Sequence, residues 1–365
     1  MSPDRVTIVG TGLIGASLGL DLASRGRAPT GWDPDPGALA VAAGRGAVVA
    51  AGSLAAALAA AELVVVAAPI AALPDEVAAV LAQTGEEVTV TDVGSTKASV
   101  VAAAAGSGRF VGGHPISGSE ARGAENASAG LFEGATWFLT PTADTNAERH
   151  RRVHGFVVEL GALPVAIDPE AHDRLVALIS HLPHVLANLI VNRAGEHRVA
   201  GHDPLASAGG SLRDMTRIAG ANPRMWTEIL LDNAGPVGRE LADLRAKIAE
   251  VERALERRDG AYLAALSDEA ALNRRRMFEQ SFPDAGALQR VSVHVADRPG
   301  VFAAITQALG AERINIEDFG LEHISPERGG TVTLLVTGAE QARRAAQLLG
   351  GQGYRVAVSP VLDEG

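Results

Sequence analysis

Short apolar runs alternate with alanine-rich helical stretches along the first third of the chain. The runs predict buried strands at Val6–Val9, Thr30–Trp32, 63–68, 88–93 and 110–111, with a helix over 12–24 after the first. Strands that alternate with helices indicate a parallel sheet covered on both faces. Two further runs, Thr136–Thr140 and 164–167, predict strands that extend this sheet at its far edge.

The pattern changes after Asp168. From 169 to 282 the apolar residues recur at helical spacing and strand signals are almost absent. Three amphipathic stretches stand out, at 174–194, 225–255 and 262–278. This part predicts an all-helical domain for substrate binding, and long apolar helices of this kind often also form a dimer interface.

A boundary is expected at 283–286, where proline and glycine flank an aspartate and an alanine. Beyond it, a strand with period-two alternation at 290–295 and further strands at 314–323, 331–337 and 354–358 are predicted, with helices at 300–309 and 339–349. This β-α-β-β-α-β order is that of a ferredoxin-like fold. The fold class is therefore α/β, with domains at 1–168 (Rossmann type), 169–283 (helical) and 288–365 (ferredoxin-like).

Composition narrows the class of protein. The 365 residues suffice for two or three domains, and a net charge of −11 argues against a nucleic-acid partner. The absence of cysteine excludes disulfides, thiolate metal sites and a thiol nucleophile. The amino-terminal residues do not resemble a signal peptide and no early run is long enough to span a membrane, so we expect a cytoplasmic protein.

A glycine-rich turn follows the first strand and opens the first helix. Gly10 permits a tight turn, Gly12 lets the backbone approach a pyrophosphate, and Gly15 lets helix and strand pack closely. The helix N-terminus favours the phosphate charge. The predicted cofactor-binding residues of this turn are Gly10, Gly12, Leu13, Ile14 and Gly15.

An acidic residue ends the second strand. Asp33 lies where a carboxylate binds the ribose hydroxyls of NAD, and it would repel the 2′-phosphate of NADP. No arginine or lysine directly follows it. The sequence therefore predicts NAD as the cofactor.

Two polar segments end neighbouring strands, at 91–97 and 112–120. Both should lie at the carboxyl edge of the sheet, where substrate and cofactor meet. Dehydrogenation of an alcohol needs a group that accepts the hydroxyl proton, and neutral histidine suits that task. We expect His114, on a glycine-rich loop, to be catalytic, with Ser95 hydrogen-bonded either to His114 or to the substrate hydroxyl.

The helical domain supplies further candidates. His181 and His184 lie on neighbouring positions of one helical face, where they could bind substrate or pack the helix, and no matching carboxylate cluster suggests a metal. Either Arg213 or Arg217 could pair with a substrate carboxylate through two hydrogen bonds. Trp226 is more typical of a core anchor than of a ligand contact.

Five motifs, in this order, carry a resemblance. GTGLIG, TDVGSTK, HPISGSE, SHLPH and LRDMTRIA resemble the prephenate/arogenate dehydrogenases of tyrosine biosynthesis, over about 6–282. HPISGSE and LRDMTRIA are far more specific than the glycine motif. The segments DRPGVF (297–302) and INIE (314–317) resemble an ACT domain, a module that commonly binds amino acids.

The resemblance implies an NAD-dependent oxidative decarboxylation of prephenate to 4-hydroxyphenylpyruvate, with no metal. By the same resemblance, His114 accepts the hydrogen bond of the C4 hydroxyl, Ser95 orients it, and Arg217 binds the ring carboxylate. The other substrate-pocket residues it implies are Ser119, His184 and Gly210.

Alternatives remain. The substrate is prephenate or arogenate, with prephenate preferred because neutral His184 suits a keto acid. One alternative is a β-hydroxyacid or 6-phosphogluconate-type dehydrogenase, which would depend on a catalytic lysine, here Lys97. Another is a non-catalytic sensor that keeps the cofactor site but no longer catalyses a reaction. For the ACT domain, tyrosine is the expected effector, with Gly300 and Asn315 as candidate contacts.

Overall fold

A computed structural model describes residues 3–104, 106–117, 121–281, 287–325 and 329–361. The chain forms two compact units, 1–246 and 247–365. The expected linker at 283–286 and the candidate Ser119 lie outside the described residues.

The first unit is built on an eight-stranded sheet with the order β3-β2-β1-β4-β5-β6-β7-β8. All neighbouring pairs are parallel except β6 and β7. The strands are β1 (Val6–Val9), β2 (Thr30–Trp32), β3 (Val49–Ala50), β4 (Leu63–Val66), β5 (Thr89–Asp92), β6 (Phe110–Pro115), β7 (Thr136–Thr140) and β8 (Leu163–Ala166). The predicted parallel sheet and its far-edge extension are thus confirmed. Strand β3 was not predicted; it is two residues long, and both residues are exposed.

Helices cover both faces of this sheet, which is why its central strands β1 and β4 are buried along their whole length. The helices that connect the strands are α1 (Leu13–Ser24), α2 (Pro36–Gly44), α3 (Leu54–Leu58), α4 (Leu73–Gln83), α5 (Ala98–Ala103) and α6 (Ala147–Glu159). One core includes Ile8, Trp137 and Phe156, and the other includes Val64, Leu73 and the helical-region residue Ile229. The helical region therefore shares a core with the sheet.

The prediction that His114 lies on a loop is wrong, because β6 continues through it. The first half of β6 pairs with β5, and the second half pairs in antiparallel fashion with β7, His114 opposite Phe138. The two glycines before His114 suggested a loop. A Cβ on Gly113 would lie 2.6 Å from the carbonyl oxygen of Asp92, so close strand packing is what requires glycine here.

Helices follow the sheet, as predicted. They are α7 (Pro169–Val176), α8 (Leu182–Gly195), α9 (Gly210–Thr216), α10 (Pro223–Asp232), α11 (Ala234–Arg257) and α12 (Gly260–Ser281), with a π turn (Ala177–His181) joining α7 to α8. The stretch 225–255, predicted as one amphipathic segment, is two helices that meet at Asn233. The side-chain amide of this buried residue donates a 2.8 Å hydrogen bond to the carbonyl oxygen of Asp173. That tertiary contact stabilises the break.

The continuous helical stretch Pro169–Gly195 is long and apolar enough to cross a membrane, by length and composition alone. One third of its most apolar window is buried within the chain. Leu178, Ile179 and Leu189 are more than half exposed along it. An apolar surface of this kind needs a cover, which either lipid or a second protein surface would provide.

The second unit contains α12 and a four-stranded antiparallel sheet with the order β10-β11-β9-β12. Its strands and helices are β9 (Leu288–Val295), α13 (Val301–Ala311), β10 (Asp318–Ser325), β11 (Gly329–Thr337), α14 (Ala339–Gly351) and β12 (Arg355–Pro360). This confirms the ferredoxin-like order. Strand β10 begins later than predicted: Ile314 is instead buried in the core after α13, its N–H donating to the carbonyl oxygen of Leu309.

Candidate active site

The glycine turn has the geometry expected of a pyrophosphate cradle. Gly10 has a φ of +94°, which favours glycine, and its N–H donates to the carbonyl oxygen of Trp32 at 2.9 Å. A Cβ on Gly15 would collide with the carbonyl oxygen of Gly10, whereas a Cβ on Gly12 would meet nothing within 4 Å. Gly12 is the N-cap of α1 and has no capping side chain. Open space at a helix N-terminus with free N–H groups fits a phosphate group.

Asp33 is held at the end of β2 by the glycine turn itself. Its Oδ2 accepts hydrogen bonds from the Thr11 N–H at 2.6 Å and from the Thr11 hydroxyl at 3.1 Å. Its Oδ1 accepts from the N–H of Asp35 at 2.9 Å. The carboxylate therefore has a fixed orientation, and carboxylate oxygens retain acceptor capacity for ribose hydroxyls.

A buried ion pair holds the ends of β5 and β6 together. The fully buried ammonium of Lys97 pairs with Asp92 and also donates to the carbonyl oxygen of Gly113 at 2.9 Å. Asp92 accepts from the N–H groups of Gly94 and Gly113 at 2.8 and 2.9 Å. Lys97 thus fixes the backbone beside His114.

His114 is half-buried at the carboxyl end of β6 and contacts the helical region directly. Its Nδ1 lies 2.9 Å from Nε2 of His172, at the start of α7. The Nδ1 of His172 in turn lies 2.8 Å from Oδ1 of Asp173. A hydrogen-bonded chain therefore runs from the sheet into the helical region.

Surrounding protein keeps His114 neutral. Removal from water lowers its pKa well below 6.5, and the nearby His172, Lys97 and His181 lower it further. Neutral imidazole has one acceptor nitrogen, so His114 has the protonation state that a proton acceptor needs.

A second group of side chains lies around Trp226, apart from the hydrogen-bonded series His114–His172–Asp173. The ring of His184 stacks on Trp226 with a centroid distance of 3.6 Å, and His181 contacts the same indole edge-on at 6.0 Å. Burial lowers the pKa of both histidines, to about 4 for His181. The buried Nδ1 of His184 has no hydrogen-bond partner among the described residues. His181, by contrast, contacts Asn233 at 3.0 Å.

The remaining candidate site residues have fewer contacts with the residues described above. Ser95 is half-buried in the loop after β5, and within the described ranges no hydrogen bond joins it to His114. Gly210 is the first residue of α9 and Arg217 is its C-cap, and both are exposed. Arg217 forms no ion pair with another described residue. Ser119 lies outside the residues the structure describes.

Sequence reasoning missed His172 and Asp173. The signal was an adjacent histidine and aspartate where the sheet domain passes into the helical region. Asp173 is also tied to the sheet domain, since it accepts from the N–H groups of Lys97 and Ala98, each at 2.8 Å. Burial raises the pKa of Asp173, but these hydrogen bonds and that of His172 outweigh it and lower the pKa overall.

A metal site finds no support in the described part of the chain, where no three histidine, aspartate or glutamate side chains cluster suitably. In the second unit, Gly300 lies at the N-terminus of α13 with a φ of +85°. Asn315 donates to Glu317 at 2.8 Å. Both are exposed.

A glycine turn at a helix N-terminus, a fixed carboxylate at the end of β2 and a neutral histidine lie at the carboxyl ends of the parallel strands, as in an NAD-dependent dehydrogenase. Three family profiles match the chain in succession. They are the prephenate dehydrogenase nucleotide-binding domain (residues 18–165), the prephenate dehydrogenase dimerization domain (168–268) and the ACT domain (289–350). The chain belongs to the prephenate dehydrogenase family.

Two relatives extend this likeness over most of the chain. The prephenate dehydrogenase of Bacillus subtilis is 32% identical over 269 residues, 72% of each chain. A probable prephenate dehydrogenase of Streptomyces niveus is 31% identical over 350 residues, 90% of this chain and 93% of the relative.

Solved structures agree. The prephenate dehydrogenase of Aquifex aeolicus, in complex with hydroxyphenyl propionate and NAD+, is 28% identical with a TM-score of 0.70, covering 76% of this chain and 99% of that one. The arogenate dehydrogenase of Synechocystis is 28% identical with a TM-score of 0.67, covering 75% and 99%.

Proposed function

We propose that the protein catalyses the NAD+-dependent oxidative decarboxylation of prephenate to 4-hydroxyphenylpyruvate. The observation that carries this proposal is the neutral His114 at the carboxyl edge of the sheet, hydrogen-bonded through Nδ1 so that Nε2 remains for a substrate. Two of the relatives described above bear this activity in their names.

The residues at the glycine turn would hold NAD+, which when bound accepts a hydride. Backbone N–H groups at the start of α1, next to Gly12, would bind the pyrophosphate, and Asp33 the ribose hydroxyls. Gly10 and Gly15 act through backbone geometry, and Leu13 and Ile14 belong to the first helical turn.

The reaction needs one proton acceptor and accurate positioning. The C4–H bond breaks with its electron pair leaving as hydride, the bond to the ring carboxylate breaks to release CO₂, and its electrons complete the aromatic ring. His114 accepts the hydrogen bond of the C4 hydroxyl at Nε2, and Ser95 orients that hydroxyl. Formation of the aromatic ring drives the decarboxylation, so these residues need not supply an electron sink.

We assign the substrate carboxylate to Arg217, an exposed cation without an ion pair to another described residue. His184, Ser119 and Gly210 would line the same pocket. The unpartnered Nδ1 of neutral His184, rigidly stacked on Trp226, suits a keto side chain at least as well as an ammonium group. For this reason we prefer prephenate to arogenate.

One assay separates the candidate functions. NADH formation is measured with prephenate, arogenate and a panel of 3-hydroxy acids, and with NADP+ in place of NAD+. We expect turnover of prephenate with NAD+. Faster turnover of arogenate would change the substrate assignment from prephenate to arogenate. Turnover of 3-hydroxy acids alone would contradict the proposal, and the absence of turnover with every substrate would favour a non-catalytic sensor.

The role of His114 is tested in the same assay. His114→Asn should lower kcat by roughly 10²–10⁴-fold with little change in KM, because its hydrogen bond strengthens in the transition state. His154→Asn, an exposed histidine of α6, is the control. An unchanged kcat in the His114 variant would remove this residue from the mechanism.

The lysine-dependent alternative is disfavoured by packing. The Lys97 ammonium is fully buried, and two of its three N–H donors bind Asp92 and the Gly113 carbonyl oxygen, as in a structural ion pair. We therefore do not assign a β-hydroxyacid dehydrogenase activity.

We further propose that the chain is a cytoplasmic homodimer. The exposed apolar residues Leu178, Ile179 and Leu189 lie in the matched dimerization domain, so a second copy is the cover that we assign to them rather than lipid. Sedimentation at several concentrations without detergent tests this assignment.

For the ACT domain we propose an amino-acid effector, tyrosine as the end product of the pathway, near Gly300 and Asn315. Titration calorimetry of the full chain with tyrosine, phenylalanine and tryptophan tests this. If none binds, the domain has a structural role.

A further inference from the structure

Contacts on several sides fix the side chains of His172 and Asp173, two residues that none of the roles assigned above involves. The His172 side chain is fully buried, and its ring meets the rings of His114 and Phe138 edge-on at 5.1 and 5.4 Å. Asp173 is bound by three N–H donors, the Nδ1–H of His172 and the backbone N–H groups of Lys97 and Ala98. Neither side chain is free to turn away from His114.

The order of these groups determines where the protons lie. An ionised carboxylate only accepts hydrogen bonds, so a neutral His172 must carry its proton on Nδ1 to donate to Asp173. Its Nε2 is then an acceptor. His114 must consequently carry its proton on Nδ1 to donate across the 2.9 Å gap, which leaves its own Nε2 without a proton.

We propose that His172 and Asp173 are positioning residues that hold His114 in the Nδ1-protonated tautomer, with Nε2 presented as a hydrogen-bond acceptor. The tautomer follows from the two contacts together with an ionised Asp173 and a single proton on each imidazole ring. Only its use on a substrate hydroxyl rests on the function proposed above. The opposite tautomer would present an N–H donor to that hydroxyl and could not accept its proton.

The same hydrogen-bonded series, from His114 through His172 to Asp173, also stabilises the positive charge that forms on His114 during the reaction. When the substrate proton reaches Nε2 of His114, the imidazolium retains its Nδ1–H bond to Nε2 of His172. The carboxylate of Asp173 lies behind His172 and stabilises this positive charge through an oriented, water-excluded path. No proton passes beyond His114.

The test compares His172→Gln with His172→Asn. Glutamine places its amide oxygen near the position of Nε2 and keeps an acceptor for His114, whereas asparagine reaches only the position of Nδ1. With ¹⁵N-labelled histidine, NMR of the full-length enzyme reports which nitrogen of His114 carries the proton. The His114→Asn spectrum assigns the signals, and His154→Asn is the surface control.

We expect the Nδ1-protonated form of His114 in the wild type and in His172→Gln, and its loss in His172→Asn. We also expect His172→Asn to lower kcat by roughly 10- to 100-fold with the KM values for both substrates retained, and His172→Gln to recover most of that loss.

Wild-type His114 protonated on Nε2, a doubly protonated His172, or an unchanged kcat in a folded His172→Asn enzyme would overturn the proposal. Circular dichroism and NAD+ binding establish that the variants are folded. Because the NMR measurement needs no substrate, a failure of the proposed function leaves the tautomer result intact.

Discussion

His114 Nδ1 and His172 Nε2 lie 2.9 Å apart, although His114 lies near the end of a strand of the nucleotide-binding sheet and His172 lies in the first helix of the dimerization domain. The contact makes the orientation of His114 depend on how the helical region docks on the sheet. Asp173 secures that docking through its hydrogen bonds to the N–H groups before and within α5. A change at this junction should therefore affect catalysis more than cofactor binding.

The glycine turn offers a matched pair of substitutions. Gly12→Ala should leave the free energy of unfolding nearly unchanged, because its Cβ meets nothing in the chain, yet it should weaken NAD+ binding by intruding on the phosphate space. Gly15→Ala should destabilise the fold itself, since its Cβ would collide with the Gly10 carbonyl. Urea unfolding and NAD+ titration distinguish the two. Equal effects on stability would contradict the assignment.

The two arginines of the LRDMTRIA segment can be separated by kinetics. Arg217→Ala should raise KM for the substrate by roughly 30-fold, the loss of one charged hydrogen-bonding pair, with a smaller effect on kcat. Arg213→Ala is the matched variant one turn earlier on the same helix. If the larger KM effect followed Arg213 instead, the carboxylate assignment would move to that residue.

The pH dependence of activity follows from the environment of His114. Burial, and after it the neighbouring His172, Lys97 and His181, hold the pKa of His114 well below 6.5. Activity requires the neutral form, so kcat/KM should stay level as the pH falls through 6.5 and decline only below it. A pH profile with an acidic limb centred at or above 6.5 would be inconsistent with this environment.

Stability should also depend on pH through His181, whose pKa is lowered from 6.5 to about 4 by burial. Between these values the unfolded chain binds the proton that the folded chain excludes, so stability present above pH 6.5 is lost as the pH falls. From pH 7 to pH 5 this group alone should reduce the free energy of unfolding by about 2 kcal/mol. His181→Gln should lose less over that interval than the wild type, measured by urea unfolding at each pH. Equal losses would exclude His181 as the source.

The sequence by itself determined the elements whose signals are local. The apolar runs predicted β1, β2 and β7. The spacing of Gly10, Gly12 and Gly15 predicted a turn in which each glycine is required for a different feature of the backbone geometry. These features follow from backbone sterics and from burial on two faces, which nearby residues dictate. The family resemblance likewise came from short motifs.

Only the tertiary structure decided which groups act on one another. Gly112 and Gly113 looked like a loop because the strand β7 that packs against them comes later in the chain, and Asn233 interrupts a helical pattern because its partner is Asp173. The chain from His114 through His172 to Asp173 joins residues 58 positions apart. Such a contact has no local signature, because it depends on how a helical domain docks on a sheet rather than on the preferences of either segment.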